Sequence, residues 1–161
     1  MKYKKFLLSM LISLFIFTGN SFAAATSSED KTSKYEKLYK KGALLIKQGK
    51  KLEKKDKIEK AKKKYLRAIK YLKQSNQIEP RKPDTLNYLG FALRKTGNFE
   101  DAEKFYLEGL KMDPKHVGIN EYLGELYIST NRLDKAKERL KILETCNCEE
   151  YSELKNLINQ N

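Results

Sequence analysis

The chain has 161 residues, 34 of them Lys or Arg and 21 Asp or Glu, for a formal net charge of +13. That length is one domain's worth and can bury a modest core. One histidine and two cysteines, with no glycine-rich phosphate loop and no nucleophile motif, exclude the common catalytic and metal-binding constellations, so no catalytic residue, cofactor or metal site is expected.

The first element is a targeting segment. Lys2, Lys4 and Lys5 precede an apolar run from Phe6 to Phe17, which is 12 residues long, whereas a spanning helix needs about 20. Small residues at Ser21, Ala23 and Ala25 follow, so residues 1–23 read as a signal peptide cleaved after Ala23 or Ala25, with an uncleaved anchor as the alternative. No cysteine lies there to accept a lipid. The expected location is the periplasm, and residues 26–33, rich in Ser, Thr and charge, read as a short linker.

From residue 34 onward the apolar residues recur at helical intervals, as in Tyr35, Leu38, Tyr39 and Leu45, then Ile58, Ala61, Tyr65, Ala68, Ile69 and Leu72. Breakers stand where helical hairpins would turn: Pro80 and Pro83, Gly97-Asn98, Asp113-Pro114 and Asn131. Two stretches superimpose at a spacing of 34 residues, Tyr88-Leu89-Gly90 on Tyr122-Leu123-Gly124 and Ala102 on Ala136. A fixed period of this size marks stacked hairpins, none of which can bury its apolar face alone.

The order Leu86, Leu89, Gly90, Leu93, Gly97, Phe99, Ala102, Tyr106, Gly109, Asp113, Pro114 resembles the tetratricopeptide repeat (TPR). The resemblance implies an all-α, short right-handed solenoid of three hairpins, over residues 35–82, 83–116 and 117–150, closed by a cap at 149–159. The third unit keeps Leu123, Gly124, Tyr127, Leu133, Ala136 and Leu140 but departs from the family at Asn120 and Leu143. In the first unit, counting back from Pro80 places Ala68, Leu72 and Ser75 on signature positions, while counting forward places Leu38, Gly42 and Leu45. The two frames disagree by 14 residues, which implies a hairpin longer by about two turns on each arm, with its tip between Gln48 and Lys64.

In TPR arrays the first helix of each hairpin lines the concave face. The resemblance thus implies a partner groove containing Tyr39, Ala43 and Ile46, then Asn87, Tyr88, Phe91, Arg94 and Lys95, then Glu121, Tyr122, Glu125 and Ser129. Rings with polar groups beside them suit a peptide or protein partner, whose identity the residues do not give. The family's carboxylate clamp is absent, since Tyr39, Ala43, Tyr88, Gly118 and Tyr122 occupy its places. The same rings also suit packing between helices.

Residues 31–82 hold 20 Lys or Arg against 5 Asp or Glu, a net +15, whereas residues 83–161 carry −3. An anionic envelope surface is therefore an alternative partner for the basic hairpin, alongside a merely solvated face. Eighteen of the 20 cations are Lys, and phosphate-reading surfaces favour Arg forks, so nucleic acid is not expected. His116 reads as a solvated turn residue. Cys146-Asn147-Cys148 is open to three readings: a disulfide pinning the cap, free or intermolecularly paired thiols, or a redox or Cu(I)-handling site. Asn147 with Glu150 has the spacing of a capping box.

Overall fold

The computed structural model describes residues 21–161, with side chains from Glu29 onward. The segment expected as a signal peptide lies outside the described residues, but for the helical backbone of its last three positions. Seven helices follow in chain order among the described residues: α1 Ser21–Glu53, α2 Ile58–Ile78, α3 Pro83–Lys95, α4 Phe99–Met112, α5 Val117–Ser129, α6 Leu133–Leu143 and α7 Glu149–Asn159. Residues 26–33 belong to α1, which corrects the expected linker. Polar composition alone does not prevent helix when no Gly or Pro interrupts it.

The helices pair as α1 on α2, α3 on α4 and α5 on α6, with α2 and α4 joining each hairpin to the next. Along the other edge α1 touches α3, and α3 touches α5, while α7 closes over α5 and α6. Local chemistry explains the boundaries. Pro83 opens α3, where its missing N–H is not needed, and Arg94 and Lys95 suit the C-terminal dipole. Gly97 then turns the chain at φ +89°, and the Asn98 side chain accepts from the Asp101 amide at 3.3 Å to cap α4. Asp56, Arg81, Asn131 and Asn147 take the other left-handed positions.

Helix α2 is 21 residues long and α4 is 14, so the first hairpin carries seven extra residues on that arm. Its packing is built in heptads. The buried residues of α2 are Ala61, Tyr65, Ala68, Leu72 and Ser75, spaced alternately by four and three. On α1, a Cβ at Gly42 would run into the Leu72 side chain, and one at Gly49, seven residues later, into the Tyr65 ring. The crossing seen at Gly42 is thus repeated one heptad along the arm. The middle hairpin makes the same crossing once, with Gly90 against the Tyr106 ring.

The two departures in the third unit have local explanations. Asn120 is fully buried, but its amide donates to the carbonyls of Pro114 and His116 at 3.1 and 3.0 Å, so no polar group is stranded there. Leu143 is buried in the cluster that contains Leu154 and Ile158 of α7. The cap replaces the neighbour that a further repeat would supply.

Candidate functional site

A stripe on α1, Tyr39, Ala43, Ile46 and Lys50, recurs every three or four residues and faces the first helices of the later hairpins. Tyr39 lies 5.9 Å from Tyr88 of α3 between ring centroids, and Tyr35 stacks on Tyr39 at 6.1 Å. Phe91 of α3 lies 4.9 Å from Tyr122 of α5. Between these helices a cavity of about 350 Å³ is lined by Ala43, Ile46, Lys47, Lys50, Lys51 and Lys54 on one side and by Tyr88 and Tyr122 on the other.

Lys50 spans the groove. Its Nζ donates to the Tyr122 hydroxyl at 3.1 Å, 72 residues away in sequence, and lies 5.5 Å from the ring centres of both Phe91 and Tyr122. Partial burial works against its charge, but the Tyr122 hydroxyl and nearby carboxylates outweigh this and hold its pKa above the ordinary lysine value. Burial also raises the Tyr122 hydroxyl. Both groups stay protonated near neutral pH, so the groove carries positive charge against an aromatic wall.

The residues expected in the groove divide by burial. Tyr39, Tyr88 and Tyr122 are half-buried and border open space. Asn87, Phe91 and Arg94 are buried at the floor, so the expectation that they meet a partner directly is corrected. Phe91 is held edge-on by Tyr65 at 5.6 Å. The Arg94 guanidinium pairs with Glu125 at 2.8 Å, and burial, which opposes its charge, is offset by Tyr106 and Glu125. Lys95 pairs with Glu53 at 3.0 Å, tying the long arm to α3. Arg94, Lys95 and Glu125 are therefore committed within the fold.

Glu121 is also buried, at 3% exposure, rather than lining the groove. Burial first, then Glu153, Glu125 and Glu150 around it, push its carboxyl up to about 9. Ser129 is exposed, and its hydroxyl donates back to the Glu125 carbonyl at 2.8 Å.

Lys47, Lys50, Lys51 and Lys54 were not among the expected groove residues. Lys50 and Lys54 follow Ile46 at four-residue steps, with Lys47 and Lys51 one position after Ile46 and Lys50, and Lys54 stands just past the end of α1.

His116 corrects another expectation. It is the N-cap of α5: the Ile119 amide donates to Nδ1 at 3.2 Å, which leaves Nε2 to donate to Asp84 at 3.2 Å. At the far end Cys146 and Cys148 are disulfide-bonded around Asn147, so neither thiol is available to a soft metal. No cluster of three or more His, Cys, Asp or Glu is arranged for a metal among the described residues. The expected capping box is not formed, because Cys148 is the N-cap of α7 and no side chain caps it.

Comparisons with known proteins agree with this geometry. Residues 83–116, the middle hairpin, match the model of the family described as tetratricopeptide repeat. A curated relative, the TPR repeat-containing thioredoxin TTL4 of Arabidopsis thaliana, is 23% identical over 131 residues. That alignment takes in 81% of this chain and only 17% of the relative's length.

Among solved structures, the type III secretion translocator chaperone SycD of Yersinia enterocolitica superimposes with a TM-score of 0.68 at 16% identity, over 89% of this chain and 94% of that one. SycD in complex with a peptide of the translocator YopD gives 0.53 at 18%, over 73% and 86%. The first TPR of Spaghetti (RPAP3) bound to the HSP90 peptide SRMEEVD gives 0.52 at 20%, over 75% and 92%. With the 34-residue period and the small-on-large helix crossings, these matches identify residues 83–116 as a tetratricopeptide repeat and give the chain the fold of TPR solenoid domains.

Proposed function

We propose that this protein is a non-catalytic adaptor of the bacterial cell envelope that holds a peptide, or a segment of a partner protein, in the groove between the long α1 arm and the rings of α3 and α5. The observation that carries this reading is the cavity whose walls are Tyr88 and Tyr122 on one side and the Ala43–Ile46 stripe on the other. Rings of this kind supply rigid contact area at low entropic cost, and the cavity volume lies in the range of ligand sites. Two structural neighbours were solved with peptides bound, which supports peptide binding as the use of this fold. The export signal expected at the N-terminus supports the envelope location.

Panning a displayed random-peptide library on the full chain tests the binding function. Enriched peptides are expected to lose at least roughly tenfold in affinity when Tyr88 and Tyr122 are both replaced by Ala. The same peptides should keep their affinity when Leu107, exposed on α4, is replaced by Ala. Peptides indifferent to the tyrosines would remove the groove from the account. For export, mass spectrometry of the mature chain is expected to find it starting at Ala24 or Thr26, and an intact N-terminus would contradict it.

A further inference from the structure

We infer that the groove selects an acidic segment carrying an apolar or aromatic side chain, recognised by the lysine face of the long α1 arm. This inference rests on the peptide-binding reading above and adds the chemistry of the partner. Lys47, Lys50, Lys51 and Lys54 stand at spacings of three, one and three residues and all border the same cavity. Lys50 is engaged by the Tyr122 hydroxyl. Lys47, Lys51 and Lys54 lie within ion-pair distance of no carboxylate among the described residues. The neighbouring Lys95, by contrast, is already matched by Glu53.

Four like charges gathered on one side of a concavity repel one another, and the apolar walls opposite them focus their field into the space between. A segment with carboxylates spaced along it relieves that repulsion, and its apolar side chain fills the gap between Ile46 and the rings of Tyr88 and Tyr122. Lys50, Lys51 and Lys54 sit on the added turns of the first hairpin, Lys47 just before them, and none is at the family's clamp positions, so a carboxylate inside a segment serves as well as a chain end. A flat anionic surface would meet the exposed lysines but leave the space between Ile46 and the rings of Tyr88 and Tyr122 unfilled. A nucleic-acid backbone would meet ammonium groups without guanidinium forks, because Arg94, on the groove floor, is already paired with Glu125.

The test uses the full chain and three fluorescent probes measured by anisotropy: a short peptide rich in Asp and Glu with a central Phe, the same peptide with Asn and Gln in place of the acids, and the acidic peptide with Ser in place of Phe. Anionic vesicles and a single-stranded oligonucleotide are run beside them. The acidic, Phe-bearing peptide is expected to bind tightest and to weaken as salt is raised. Replacing Lys51 and Lys54 together by Gln should weaken it roughly tenfold, since exposed ion pairs contribute about two- to fivefold each, while Lys62→Gln and Lys63→Gln on α2 leave it unchanged.

If the neutral peptide binds equally well and still needs Tyr88 and Tyr122, the acidic preference is overturned and the groove reading stands. If no peptide binds, the acidic preference is overturned, while the groove reading is decided separately by the library panning. Vesicle or oligonucleotide binding that outcompetes the acidic peptide overturns the proposal in favour of a general polyanion surface.

Discussion

The first and middle hairpins solve the same packing problem at different lengths. In the middle hairpin one glycine, Gly90, lets α3 approach the Tyr106 ring, and the α3 face toward its neighbours is buried from Thr85 to Arg94 apart from Tyr88. In the first hairpin two glycines a heptad apart, Gly42 and Gly49, admit Leu72 and Tyr65 in the same way, and the added turns present lysines to open space. The repeat that keeps its period directs its side chains inward. The repeat that exceeds it leaves a face free for a partner.

The two ion pairs that bind the middle hairpin to its neighbours offer the largest contrast. Arg94→Ala leaves Glu125 facing a buried site and is expected to cost about 3 kcal/mol in chemical denaturation. Lys95→Ala removes a half-exposed partner of Glu53 and should cost under about 1 kcal/mol. Equal effects would mean that the two hairpin joints are energetically alike.

Next in size are the glycine crossings. Gly90→Leu drives a side chain into Tyr106 at the centre of the array and should lower stability by roughly 1–3 kcal/mol or more, with loss of a single cooperative transition. Gly49→Leu meets the Tyr65 ring in the added turns. Its effect is expected mainly as faster amide exchange between residues 46 and 66, with the rest of the array protected. Global unfolding by Gly49→Leu would show that the long arm is integral to the core.

The third contrast is in pH. The Glu121 carboxyl, on α5 and surrounded by Glu125, Glu153, Glu150, Lys50 and Tyr122, titrates near 9 in the folded chain, against 4.5 for an ordinary glutamate. The folded state therefore holds a proton that the unfolded state has lost, and stability declines as pH rises from about 4.5 to 9. Glu121→Gln should remove that slope and raise stability at pH 8 by an amount on the order of 1–3 kcal/mol. A slope that survives the substitution would place the titrating group elsewhere.

The smallest effect belongs to the cap. Cys146 and Cys148 close a ring with a sequence separation of 2, so replacing both by Ser should cost only about 1–2 kcal/mol. The loss is expected in α7, where exchange would quicken first.

The repeat itself was legible because its small and large positions recur in order: Gly90, Ala102 and Tyr106 fix where two helices cross. The length of the first hairpin was legible from the disagreement between the frames set by Gly42 and by Pro80. The α1–α2 turn was not, since Asp56 adopts φ 54° in a run without Gly or Pro. The burial of Glu121 and the capping role of His116 also escaped the sequence. Each depends on a contact made by a distant element, α7 for Glu121 and Asp84 for His116, and residue type alone says nothing of that.

Site-specific photocrosslinking in the native host tests the groove most directly. A photoreactive residue at Ala43 or Tyr122 is expected to capture the same partner, while the same residue at Leu107, exposed on α4, captures none. Capture from Leu107 in place of Ala43 and Tyr122 would contradict the account and move the partner to the outer face.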